Sequence, residues 1–140
     1  IIDKNILESY SSFNKKGLNN PNSILFLNEY KRFPTIKQVE DLIHQGGGLC
    51  FLAHIYQYNV QNHIEFLKRI KNEIKLDGIE VIHSSFTNEQ RKELNDVADE
   101  LNLYKSGGSD YHGKLKPGIK LGLDLQISDE IVKPWIDRII

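Results

Sequence analysis

Gly46-Gly47-Gly48-Leu49-Cys50-Phe51-Leu52-Ala53-His54 is the stretch on which the fold turns. Glycines interrupt whatever precedes them, an apolar run follows, and a histidine closes it. That is the pattern of a turn, a buried strand over residues 49–53 and a polar group at the strand's C-terminal end. Upstream, Ile36, Val39, Leu42 and Ile43 recur at helical spacing behind Thr35, a good N-cap. Downstream, Ile64, Leu67, Ile70 and Ile74 line one face of a helix predicted over 62–74. Gly78-Ile79-Glu80-Val81-Ile82-His83 is a second strand ending in histidine, entered through an Asp77-Gly78 turn. Thr87 caps a helix over 88–102, and Gln90 is placed to complete a capping box. Residues 103–106 form a third short strand. Ser128 starts a last helix over 129–140, kinked or broken by Pro134.

Helices alternating with apolar strands predict an α/β fold of parallel βα units. In such sheets ligands and catalytic groups gather at the carboxyl ends of the strands. Three strands are few for a closed barrel. The chain also contains no Met and begins Ile1-Ile2, which predicts a piece of a longer protein. Residues 1–33 are a poorly patterned lead-in: a short amphipathic helix over 1–11, an Asn/Lys/Gly-rich loop over 14–23 and a helical turn over 23–31. Residues 34–122 carry the patterned units and 123–140 the terminal helix.

The third strand runs into Gly107-Gly108-Ser109-Asp110-Tyr111-His112-Gly113. Side chains two apart on an extended segment point the same way, so Asp110 and His112 can address one ligand. A carboxylate beside an imidazole suits divalent Zn, Mn or Fe. Spacing alone leaves a second reading open, a polar turn capped by Asp110 with His112 exposed. His54 and His83 end their strands in the same topological position, as metal ligand, phosphate contact or rim histidine. Glu80, inside a strand, needs a partner if it points inward. Lys114 and Lys116 could hold a phosphate as point charges. His44 and His63 are expected on helix surfaces, and Trp135 with Ile139 in the core.

Bulk properties exclude several classes. Of 140 residues, 39% are hydrophobic and 26% charged, enough for a core and for solubility. A formal net charge of -1 gives no overall pull towards a long nucleic-acid duplex or an anionic membrane. The single cysteine, Cys50, excludes an internal disulfide and a cysteine-rich zinc site, and its apolar setting predicts an inert buried thiol. No signal peptide or membrane-spanning run is visible, which makes the cytoplasm the default expectation.

Taken in order, Gly46 to His54, Asp77-Gly78-Ile79-Glu80-Val81, and Gly107 to Gly113 with Lys116-Pro117 and Leu121-Gly122 resemble the polymerase and histidinol phosphatase (PHP) family, nearest its metal-dependent phosphoesterase branch. The resemblance covers about residues 34–122. It implies the C-terminal half of a distorted (β/α)7 barrel that holds two or three divalent metals in the intact domain and hydrolyses phosphate esters, nucleotides or short oligonucleotides among them. It implies His54, Asp110 and His112 as metal ligands; His83 and Lys116 are expected as substrate contacts from their own places, at a strand end and after the Asp-x-His turn. The family's early His-x-His has no counterpart, since the first histidine is His44, and Phe86 stands where related sequences often carry a His. This chain is therefore expected to hold part of the metal cage and to be weak or inactive alone. The rival expectation is a non-catalytic remnant that binds a partner. An incomplete barrel also predicts self-association through open strand edges.

Overall fold

Thr35 opens the first helix as its chemistry dictates. Its hydroxyl accepts from the Gln38 amide at 3.3 Å, and the Gln38 side chain accepts from the Thr35 amide at 2.8 Å. The computed structural model describes residues 21–23, 26, 33–122, 125 and 127–138. It falls into two compact units, Ile1–Pro34 and Thr35–Ile140. The expected elements over 1–11 and 23–31 lie outside the described residues. Every described helix and strand belongs to the second unit.

Helix α1 spans Ile36–Gln45 and ends at Gly46, with Gly47 at φ 78° carrying the chain out. Strand β1 is Phe51–Leu52, shorter than expected, because only these two residues meet partners on the next strand. Helix α2, His63–Glu73, is capped by Asn62, whose side chain accepts from Ile64 and Glu65 amides at 3.1 and 3.0 Å. Strand β2 is Gly78–His83. Helix α3, Asn88–Glu100, carries the expected Thr87–Gln90 capping box. Strand β3 is Tyr104–Gly108. Helix α4, Asp129–Ile136, contains Pro134, and its N-cap Ser128 makes no side-chain capping bond. Single turns of 3-10 helix, Ile55–Gln57 and Gly113–Leu115, follow β1 and β3.

The strands form one parallel sheet in the order β1-β2-β3. This confirms the parallel α/β reading. β2 is central and buried almost throughout, as a strand covered by helices must be. Ile79 and Val81 from β2, Leu67 from α2, Leu94 and Ala98 from α3 and Ile55 are fully buried together. Each large aliphatic side chain so buried contributes about 1.5–3 kcal/mol.

The structure changes several local expectations. Gly107 and Gly108 belong to β3, not to the turn after it. A Cβ on Gly107 would lie 2.9 Å from Ile82 Cβ and 3.0 Å from Ile127, so the glycine permits close packing. Gly78 starts β2 as expected, opposite Phe51. The pairing of β2 with β3 also contains a bulge. Glu80 pairs with Ser106 but Ile82 with Gly107, leaving Val81 as an extra residue. The apolar set of α1 does not form a buried face: Ile36, Val39 and Leu42 are exposed, while Glu40 is buried.

His44 is not a surface residue. It bridges Glu40 Oε1 at 2.5 Å and Asp77 Oδ2 at 2.6 Å, and Asp77 also accepts from the Cys50 amide at 2.8 Å. Lys37 neutralises Glu40 from the other side at 2.7 Å. This network explains why a glutamate can be buried there. It ties α1 to the starts of β1 and β2, at the end of the sheet opposite the candidate site. Trp135 is not a core residue: it is partly buried outside the core cluster, with its ring 5.0 Å from that of Phe51 and its indole N–H donating to Lys105 O at 2.7 Å. Ile139 lies outside the described residues.

Candidate functional site

Each candidate group leaves the carboxyl end of a strand. His54 follows β1, His83 ends β2 and Asp110 follows β3. His54 and Asp110 sit in left-handed backbone, at φ 33° and 57°. Non-glycine residues are held there at some cost in strain, which clusters at functional sites. For His54 the restraint is visible: its amide donates to Glu80 Oε2 at 2.6 Å. Gly108 leaves room for that carboxylate, since a Cβ there would stand 3.2 Å from Glu80 Oε1. The partner that Glu80 requires is thus a backbone N–H.

The imidazoles converge. The rings of His54 and His83 lie 6.0 Å apart, and Phe86 lies 5.0 Å from His83. Nδ1 of His54 and Nε2 of His83 are buried with no hydrogen-bond partner. Buried polar nitrogens normally have partners, and these two have none among the described atoms. His83 Nδ1 accepts the Ser85 amide N–H at 3.1 Å. A neutral His83 therefore carries its proton on Nε2 and presents a donor. That nitrogen stands 3.9 Å from Asp110 Oδ2, beyond hydrogen-bond range.

His112 has the opposite polarity. Its Nδ1 donates to Asp110 O at 2.7 Å, which leaves the Nε2 lone pair of the neutral ring facing outward. A backbone carbonyl holding one nitrogen while the other is free is how proteins orient metal-ligating histidines. The side chain is half exposed, at the rim. Asp110 is hydrogen-bonded by the Lys116 ammonium, which holds its carboxyl below the ordinary carboxylate range against the opposing effect of burial. Asp110 is thus an ionised oxygen donor.

The chemistry of this set fits a divalent cation: a carboxylate, an unpartnered buried imidazole nitrogen on His54 and a lone pair on His112. The side chains are not drawn together as ligands, however. Among the described residues no group of three His, Cys, Asp or Glu is arranged to hold a metal ion. His63 is elsewhere, with Nε2 on Tyr58 O at 3.2 Å. Lys114 is exposed after the Asp110 turn. Sequence reasoning overlooked Arg91, whose guanidinium donates to His83 O at 3.1 Å. One signal was available: Arg91 stands near the start of α3, where the helix dipole disfavours a cation.

No family model matches the chain. A 5'-3' exoribonuclease of Haemophilus influenzae is 29% identical over 124 residues, which covers 86% of this chain and 43% of that protein. The 5'-3' exoribonuclease Rnm of Escherichia coli is 34% identical over 104 residues, covering 72% of this chain and 34% of Rnm. The chain thus spans between a third and just under half of these relatives. Among solved structures, a protein of Bifidobacterium adolescentis assigned as a metal-dependent phosphoesterase superposes with a TM-score of 0.66 at 27% identity. That match covers 98% of this chain and 47% of the other. An amidohydrolase of Chromobacterium violaceum, solved with sulfate and no metal, shares the fold at 22% identity and a TM-score of 0.60, over 81% of this chain and 39% of its own. No described helix is long and apolar enough to cross a membrane.

Proposed function

We propose that the chain supplies part of the active site of a PHP-type, metal-dependent phosphoesterase that acts on RNA or short oligonucleotides. The observation that carries the reading is the pair of buried, unpartnered imidazole nitrogens at the strand ends, that of His83 standing 3.9 Å from Asp110. Similarity to exoribonucleases and to a metal-dependent phosphoesterase supports the reaction class.

His54, Asp110 and His112 are the proposed ligands. A divalent metal, Zn, Mn or Fe, supplies Lewis-acid polarisation of the phosphoryl oxygens and a water acidic enough to ionise near neutral pH. The chain's own residues do the rest. The Nε2–H of His83 and the Lys116 ammonium face the anionic substrate and neutralise the charge that grows on its oxygens. Glu80 fixes the His54 backbone, so the imidazole need not be ordered when substrate arrives. Phe86 keeps water from one face of His83.

In this reading the remaining ligands of a two- or three-metal cage come from the other half of a distorted (β/α)7 barrel, and the chain alone turns over weakly. Among the described residues, β1 and β3 are each paired on one side only. These edges are where the other half, or a second copy of the chain, would pair. The cytoplasm is the proposed compartment.

One observation favours a second reading, a non-catalytic module: no three ligands are assembled among the described residues. Metal content separates the two. The chain, Asp110→Ala and a version extended upstream to the length of its relatives are compared for bound Mn and Zn. The extended protein is expected to hold two or more ions and to lose one with Asp110→Ala. An extended protein that binds none hands the site to the non-catalytic reading.

A further inference from the structure

Asp110 already has a cation. The Lys116 ammonium is hydrogen-bonded to its Oδ2, the same oxygen that stands 3.9 Å from His83 Nε2. Lys116 therefore holds the carboxylate on the side that faces the strand-end imidazoles. We infer that Lys116 is a built-in competitor for the metal: its ammonium and a divalent ion exclude each other at the Asp110 carboxylate, and ion binding releases the segment that carries the lysine. The inference rests on the reading of Asp110 as a metal ligand.

Charge argues for exchange rather than sharing. The Asp110 side chain is only 22% exposed, and a carboxylate so placed needs a partner. A divalent ion at the same carboxylate brings its charge close to the ammonium, where like charges repel. Among the described residues Lys114 and Lys120 have no ion pair, so of the three lysines in this loop Lys116 alone is spent on an acid.

The backbone around Lys116 is built to let go. Gly113 and Gly122 bracket it at φ 55° and 64°, and a Cβ on Gly113, Gly118 or Gly122 would meet nothing within 4 Å. Leu115 and Leu121 are 70% and 73% exposed. Among the described residues, the other hydrogen bonds that tie residues 113–122 to the strand end are Leu115 N–H to His112 O at 3.1 Å and Gly122 N–H to the Ser109 hydroxyl at 3.5 Å. Few buried contacts and few bonds mark a segment that opens at low cost. The released ammonium is then free to meet the anionic substrate, which gives one side chain two successive partners.

The protein extended upstream to the length of its relatives is stripped with chelator and titrated with Mn, alongside Lys116→Met, Lys116→Arg and Lys120→Met. Lys116→Met removes the competing charge and should bind Mn about tenfold more tightly or better, while Lys120→Met stays within about twofold of wild type. Lys116→Arg keeps the charge and should lie nearer to wild type than Lys116→Met does. Hydrogen exchange read by mass spectrometry follows the segment itself. Mn should speed exchange across residues 113–122 of wild type, whereas in Lys116→Met exchange there is fast from the outset and changes little with Mn. Weaker Mn binding by Lys116→Met overturns the inference, because it makes Lys116 a partner that orients Asp110 for the ion. Equal binding overturns it too, as does slower exchange of the segment when Mn is added to wild type. Should Lys116→Met fail to fold, as its melting curve would reveal, the exchange of wild type decides alone. Mn bound by none of the versions overturns the ligand reading and the inference with it; Mn bound by wild type without these differences overturns the inference alone.

Discussion

Replacing Gly78 by alanine tests the packing that holds the sheet together. A Cβ at that position would stand 2.1, 2.4 and 2.7 Å from Cε1, Cδ1 and Cζ of Phe51. Carbon atoms pack at about 3.5–4.0 Å, so the ring must withdraw by roughly 1.5 Å. It has little freedom to do so. Phe51 is paired with Gly78 in the β1–β2 register, and its ring packs on Trp135 at 5.0 Å. Overpacking of this kind costs about 1–3 kcal/mol. Removing a glycine from a strand works the other way, by about 0.5–1 kcal/mol. The steric term wins, leaving roughly 1–2 kcal/mol of destabilisation, or about 4–16 °C of melting temperature for a unit of this size. Thermal melts followed by circular dichroism read this directly. The double-mutant cycle is more discriminating. In a Phe51→Leu background the ring is gone, and Gly78→Ala should cost less than about 0.5 kcal/mol. An unchanged melting temperature for Gly78→Ala, or the same loss in both backgrounds, would refute the steric argument.

Glu80→Ala removes the acceptor that fixes the His54 amide; metal affinity of the extended protein should fall about 10–100-fold, while Glu80→Gln retains most of it. His44→Gln should lower the melting temperature chiefly in a mildly acidic window. Its hydrogen bond to Asp77 raises His44 above its ordinary 6.5 despite burial, so its contribution is full below that value and fades as pH climbs through the raised one. At the other end, Glu40 is lowered by its bond to Lys37. Burial pushes Asp77 up, but hydrogen bonds from His44 and the Cys50 amide outweigh it and leave that carboxyl lowered too. Both contributions are full above the ordinary 4.5 and 3.8 and fade as pH falls through the lowered values. A pH-independent deficit in melts from about pH 3 to 9 would contradict this. Leu67→Ala, at a fully buried position, should cost about 2–5 kcal/mol in urea unfolding. Burial raises the Cys50 thiol, so a thiol reagent should label it slowly in the native chain and rapidly in urea; fast native labelling would contradict its buried placement.

Much of the fold was legible because the signals were local. Thr35 and Thr87 start helices through hydroxyls that bond three residues on, and those partners stand in the sequence. The parallel sheet followed from apolar runs alternating with helical spacing. Glycine was harder to read, since Gly107 looks like a turn residue until Ile82 and Ile127 are seen against it. The buried side of α1 was illegible for a related reason. Glu40 is acceptable inside only because His44 and Lys37 meet it there, and His44 in turn depends on Asp77, 33 residues away. The strand-end residues were legible as candidates, but their polarity was not. That His83 offers a proton and His112 a lone pair depends on the Ser85 amide and the Asp110 carbonyl, which only the folded backbone supplies.

The irregularity in the β2–β3 ladder bears on which deletions the protein could survive. Val81 is the residue in excess, so a chain lacking it could pair β2 with β3 one-to-one from Gly78 to the end. Ile82 and His83 would keep Gly107 and Gly108 as partners, so both side chains would stay on the faces that those partners set. What the deletion removes is the fully buried Val81 side chain. Such a variant should melt lower yet still present His83 to Asp110, which makes the extra valine a core filler that the ladder absorbs by bulging.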